Sequence, residues 1–157
     1  MSDAVHVVVL CHANVARSVA VAHLLRGATD EQGVAIELRS AGTHASEGQP
    51  ASARTRAALE ARLGEVSLLG THRSHLLDVD DVEWSDLLIA MEGSQVRFVR
   101  RLFPDATGRT ATLAVLASSL PCDHRPLATR IASMGLASQV SDAVSYTHLT
   151  LPTNREV

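Results

Sequence analysis

Val5-His6-Val7-Val8-Val9-Leu10, followed by Cys11-His12-Ala13-Asn14-Val15-Ala16-Arg17-Ser18, is the stretch that decides the fold. The first six residues are largely apolar and β-branched. Such a run reads as a strand buried on both faces, as in a parallel sheet. After Ser18 the spacing of Val19, Ala22, Leu24 and Leu25 is helical, with an end expected near Gly27. The residues between are thus a short loop joining a parallel strand to a helix, and in an open α/β sheet the carboxyl end of a strand faces the binding crevice. Loop N–H groups entering a helix make an anion nest, to which the helix dipole adds.

The loop reads Cys-x5-Arg-Ser, and that order suits phosphate chemistry. Arg17 has the fork geometry to grip a phosphate with two hydrogen bonds. The anionic form of cysteine is favoured in such a field. A thiolate facing a phosphate ester can attack phosphorus and form a phosphocysteine that water hydrolyses. The loop N–H groups and Arg17 would hold the transition-state oxygens, and the Ser18 hydroxyl can hydrogen-bond the sulfur. The expected catalytic residues are therefore Cys11 and Arg17. The expected phosphate-binding set is His12, Ala13, Asn14, Val15, Ala16, Arg17 and Ser18. Asn suits position 14 because it tolerates a left-handed backbone, which a tight loop can require. The bland alternative is a buried structural cysteine at a strand end.

Working outward, Val34–Arg39 alternates and reads as a second strand running into Ser40-Ala41-Gly42-Thr43. Ala51–Leu63 is rich in Ala, Leu, Arg and Glu and reads as a helix, with Gly64 as its C-cap. Asp86–Ala90 is a third strand, Ser94–Leu102 a helix closed by Pro104, Thr110–Leu116 a fourth strand, and Leu127–Leu136 a weak helix. Strands alternating with helices imply an α/β fold with a parallel sheet.

Composition narrows the function. The 157 residues are 46% hydrophobic and 20% charged with net charge -3, enough to build one core. An electrostatic grip on nucleic acid or an anionic membrane is not supported, and no apolar run is long enough to span a bilayer. Two cysteines, Cys11 and Cys122, make no disulfide framework, and a soluble cytoplasmic protein is expected. Cys122 reads as a solitary thiol. His6, His23, His44, His75 and His124 show no metal-ligand spacing, so neither metal nor cofactor is expected. Arg97, Arg100 and Arg101 read as a solvated helix face, with an electropositive rim for an acidic polymer as the alternative. Nothing marks an oligomeric interface.

All basic residues except histidine are arginine. Against that background Ser145–Thr153, rich in Thr and holding the only Tyr, reads as foreign. Ser145-Tyr146-Thr147-His148-Leu149 back-translates as TCT-TAT-ACA-CAT-CTG, which matches a transposon-end sequencing adapter. A domain over residues 1–143, truncated at its C-terminus, is expected, with residues 144–157 as a non-native or disordered tail. A genuine polar tail is the alternative.

From Val7 to about Leu116 the chain resembles the low-molecular-weight protein tyrosine phosphatases, with the related arsenate reductases beside them. The resemblance rests on the loop, on Ser40-Ala41-Gly42-Thr43, on His72-Arg73-Ser74, and on Leu88-Ile89-Ala90-Met91 before a helix. It implies a flavodoxin-like α/β/α fold with a four-stranded twisted parallel sheet, and hydrolysis of phosphotyrosine in a phosphorylated protein, or of a small phosphate ester. By resemblance Cys11 is the nucleophile and Arg17 the clamp, and Asn14, Ser18, Ser40 and His72 form the hydrogen-bond network holding the loop. His72 alone reads equally as a surface histidine.

Departures from the family bear on the chemistry. Ala13 stands where glycine is frequent, Val19 where proline is, and Ala16 where many members carry a second cysteine. The absence of a suitably spaced cysteine pair weighs against the thioredoxin-coupled arsenate reductases, which need further cysteines for electron relay. The family's general acid comes from an Asp-Pro segment that this chain lacks, so Asp142 and Asp123 are the candidates. Trp84 reads as a packing residue rather than a substrate wall. A phosphatase leads, with arsenate reductase and a non-catalytic phosphate-binding domain as alternatives.

Overall fold

The structure, a computed structural model, describes residues 4–64 and 67–138. The expected tail at 144–157 and Asp142 lie outside these residues. Contacts group the described residues up to Leu88, and those from Ile89 onward, into two compact units.

In the first unit, β1 (Val5–Cys11) runs parallel to β2 (Ile36–Gly42), with Val5 paired to Ile36 and Cys11 to Gly42. Val7, Val8, Val9 and Leu10 are essentially inaccessible, as a strand covered on both faces should be. α1 (Arg17–Gln32) follows β1, and its Val19 packs with Ala51, with Leu59 of α2 (Ala53–Leu63) and with Leu69. β2 begins later than the alternation suggested. Pairing with β1 carries Ser40, Ala41 and Gly42 into the strand and leaves Val34 and Ala35 outside it. α1 also runs past Gly27, because nothing after it breaks the helix until Gly33. There a left-handed backbone (φ 65°) returns its N–H to Thr29 and Asp30 carbonyls. Gly64 ends α2 as expected, its N–H bonded to the Glu60 carbonyl.

α3 (Val79–Trp84) was not anticipated. Its six residues are too few to show a period, yet Asp78 and Asp81 close a reciprocal capping box at its start. Trp84 is a packing residue, as expected: it stacks on His6 at 4.4 Å, and the Arg39 guanidinium lies 3.9 Å from its centroid.

The second unit holds α4 (Gly93–Leu102), β4 (Thr110–Thr112), α5 (Leu113–Ser119) and α6 (Leu127–Ser133). Val96, Val99, Ala106, Ala111, Leu116 and Ile131 are buried in it. The fourth strand is shorter than expected. Thr112 accepts the Val115 N–H and caps α5, so Leu113–Leu116 is helix rather than strand. The last helix stops at Ser133, and Leu136–Ser138 forms a 3₁₀ turn after Gly135. On α4, Arg97 and Arg101 are exposed as a solvated face should be, while Arg100 is half-buried and donates to the Leu136 carbonyl.

With β3 (Leu87–Ala90) the strands form a four-stranded parallel sheet in the order β2-β1-β3-β4, the flavodoxin-like α/β arrangement expected. No helix among the described residues is long and apolar enough to cross a membrane.

Candidate active site

Cys11 ends β1 and Gly42 ends β2 beside it. The loop leaves this edge and enters α1 at Arg17, and Ala16 at the N-cap supplies no side-chain cap bond. The loop is pinned from several sides. Thr43 N–H donates to the Cys11 carbonyl at 3.0 Å, His44 N–H to the His12 carbonyl at 2.9 Å, and Ser52 N–H to the Val15 carbonyl at 2.8 Å. A Cβ at Gly42 would come within 2.6 Å of the His12 carbonyl oxygen and 3.0 Å of Asn14 N, so only glycine fits against the loop there.

Asn14 is fully buried, and its φ of 56° is the only positive value among described non-glycine residues. All its polar groups are engaged. Its N–H points to Cys11 Sγ at 3.3 Å, and its Nδ2 donates to Ser18 Oγ at 2.9 Å and to Ser40 Oγ at 3.0 Å. Its Oδ1 accepts the His75 N–H at 2.9 Å. Its carbonyl lies 2.8 Å from His72 Nε2, and since a carbonyl only accepts, Nε2 is the protonated nitrogen. The four residues of the supporting network are thus brought together. The His75 backbone was missed, because a main-chain donor leaves no trace in residue type.

Ser18 Oγ sits 3.0 Å from Cys11 Sγ, both buried. Asn14 already donates to that hydroxyl, so its own hydrogen is free to point at sulfur. Two donors, Ser18 O–H and Asn14 N–H, therefore converge on Sγ, an arrangement suited to a sulfur anion. Arg17 is exposed at the first turn of α1. His12, also exposed, stacks on His44 with centroids 4.5 Å apart.

A strand-end cysteine, a six-residue return to arginine and a serine on the sulfur define the loop, and a family model described as low molecular weight phosphotyrosine protein phosphatase matches residues 6–124. The chain belongs to this family. It is 30% identical over 114 residues to the protein-arginine-phosphatase of Geobacillus stearothermophilus, covering 73% of this chain and 72% of that one. The solved structure of the YwlE arginine phosphatase from that organism aligns over 98% of both chains at 25% identity and a TM-score of 0.65. The low molecular weight protein tyrosine phosphatase of T. tengcongensis aligns over 90% of this chain and 99% of its own, at 22% identity and a TM-score of 0.67. This phosphatase is accordingly a hydrolase acting on phosphorylated protein.

The remaining candidates of the phosphatase sort by contact. Asp123 is exposed and bound through both oxygens by Arg125, at 2.6 to 3.0 Å, and that cation holds its carboxyl below the usual range. A group so held is an anion rather than a proton donor. Cys122 is exposed and is a free thiol, as is the buried Cys11. His75, Asp78 and Asp81 place potential ligand atoms within 4.8 Å of one another. A direct 2.7 Å hydrogen bond joins His75 Nε2 to Asp81 Oδ2, so the imidazole nitrogen carries a proton where a metal would need its lone pair.

Proposed function

We propose that the phosphatase hydrolyses phosphotyrosine in a protein through a phosphocysteine on Cys11. The observation that carries this reading is the convergence of Ser18 Oγ and Asn14 N–H on the buried sulfur, at 3.0 and 3.3 Å. In the first step Sγ attacks phosphorus, the S–P bond forms, and the P–O bond to the phenol breaks. The loop amides from His12 to Ser18 and the Arg17 guanidinium hold the equatorial oxygens. The departing oxygen takes a proton from a general acid. With Asp123 tied to Arg125, Asp142 is the candidate. Water then gives a proton to that same carboxylate and attacks phosphorus, the S–P bond breaks, and phosphate leaves with the sulfur restored as an anion that Ser18 stabilises. A reducing compartment such as the cytoplasm would keep Cys11 a thiol.

A second substrate reading, phosphoarginine, is favoured by the relatives named for arginine phosphatase activity. Side-by-side assays on phosphotyrosine and phosphoarginine peptides, with wild type and Cys11→Ser, test both. Turnover of the phosphotyrosine peptide that vanishes in Cys11→Ser supports the proposal. Preference for the phosphoarginine peptide selects the second reading. Arsenate-dependent thiol consumption without phosphatase activity, or phosphate protection of Cys11 from alkylation with no turnover, would replace both with the alternatives stated above.

A further inference from the structure

His75 joins the phosphate loop to a cluster of carboxylates. Its backbone N–H donates to Asn14 Oδ1 at 2.9 Å, and its carbonyl accepts the Gly42 N–H at 2.8 Å. Asn14 and Gly42 are the residues that shape and back the loop. The His75 ring is held on both sides. Nε2 lies 2.7 Å from Asp81 Oδ2 and 3.3 Å from Asp78 Oδ2, at the start of α3. Nδ1 lies 3.3 Å from Glu47 Oε1, in the segment after β2. Glu47 Oε1 also accepts the Leu76 N–H at 2.6 Å, so one carboxylate grips both ring and backbone of this segment. The other charged group in the cluster is Arg39 of β2, which reaches Asp81 Oδ1 at 3.4 Å.

A neutral imidazole has one N–H. With carboxylates against both nitrogens, the neutral ring must turn a lone pair toward an anion, whereas the imidazolium donates to both. The contacts therefore select the charged ring, and losing its proton releases either Glu47 or the aspartates.

We propose that His75 is a positioning residue for the phosphatase reaction: its imidazolium, clamped between Glu47 and Asp78/Asp81, holds its own backbone N–H on Asn14 and thereby keeps the loop competent to bind an oxyanion. Deprotonation slackens the clamp and weakens oxyanion binding. Burial pulls the His75 pKa down, but the hydrogen bond and charge of Asp81, joined by those of Glu47, outweigh it and lift the pKa above 6.5. The loop is thus tight while the ring is charged, and loosens as pH rises through the lifted pKa. His72, whose Nε2 donates to the Asn14 carbonyl, and the stacked pair His12 and His44 also lie at the loop, and variants of His75 separate its effect from theirs. The inference rests on reading residues 11–18 as the phosphate loop but needs no turnover.

The test uses sulfate, a dianion that does not titrate here, and measures its affinity by calorimetry from pH 5.5 to 9 with the full chain. Wild type should lose at least about threefold in affinity across the His75 transition, the size of a modest coupling between the two sites. His75→Gln should bind weakly and lack that step, and His75→Arg, a permanent cation, should bind more tightly than the Gln variant at high pH. An unchanged step in His75→Gln overturns the proposal. In wild type alone, NMR should show the Asn14 side-chain amide moving with the His75 titration. A His75 that titrates while Asn14 stays still, or that titrates below 6.5, also overturns it. If sulfate binds with the predicted pH dependence while Cys11→Ser keeps its phosphatase activity, the mechanism at Cys11 fails and the positioning role stands.

Discussion

Asn14 spends every polar group it has on the loop, and it does so in a backbone conformation that costs an ordinary residue about 1–2 kcal/mol. Two contributions can be separated there. Asn14→Ala removes the side-chain bonds and keeps the strained φ, so we expect a loss of about 2–4 kcal/mol in stability. Asn14→Gly relieves the backbone but not the bonds. It should recover about 1 kcal/mol in chemical denaturation while activity stays about 100-fold down. Equal stability of the two variants would mean that φ 56° carries no cost here. Much of this residue's role was legible: an Asn in a tight loop beside Cys11, with Ser18 seven positions on. What was not legible is the acceptor role of Oδ1, because its donor is the backbone of His75, sixty-one positions away.

The elements that build the site are β1, β2 and α1, and their order follows from a buried β-branched run delivering the chain to a loop. At this scale Gly42 is the decisive contact between strand end and loop. Gly42→Ala pushes a methyl group against the His12 carbonyl, an approach of 2.6 Å that backbone must yield to. We expect kcat/KM to fall at least about tenfold, with KM for phosphate esters rising because the cradle itself is distorted. A wild-type KM in Gly42→Ala would show that the loop is not backed as described. Thr112, in the second unit, offers a contrast. Thr112→Ala removes the cap of α5 and should cost about 1 kcal/mol in thermal unfolding. The same cap explains why β4 was read too long. Leu113, Val115 and Leu116 are equally apolar in a strand or a helix, and a threonine hydroxyl decides between them. α3 escaped for a related reason: a capping box can start a helix of six residues that no periodicity reveals.

For the molecule as a whole, the charged cluster around His75 ties stability to pH. His75 has its pKa raised on folding, so its contribution is full below about 6.5 and fades as pH climbs through the folded value. Glu47 and Asp78 have theirs lowered, chiefly by backbone hydrogen bonds from Leu76 and Asp81. Their contribution is present above 4.5 and 3.8 and is lost on acidification through the lower folded values. Thermal midpoints should therefore decline on both sides, and His75→Gln should flatten the alkaline side while weakening the acid-side contribution, because the His75 charge also helps to hold Glu47 and Asp78 down. A wild-type decline above neutral pH that survives in His75→Gln would refute this assignment. At this scale the chain was largely readable from its alternating strands and helices and from the ordered matches at residues 11–18, 40–43, 72–74 and 88–91. The ion-pair cluster was not, since its members come from separate segments and show no metal-like or catalytic spacing. The central claim, that Cys11 is the nucleophile, is tested most directly by rapid acid quench of the phosphatase with a phosphotyrosine peptide, followed by mass spectrometry. The account predicts phosphate on the Cys11 peptide of wild type and neither adduct nor turnover in Cys11→Ser; turnover that persists in Cys11→Ser would contradict it.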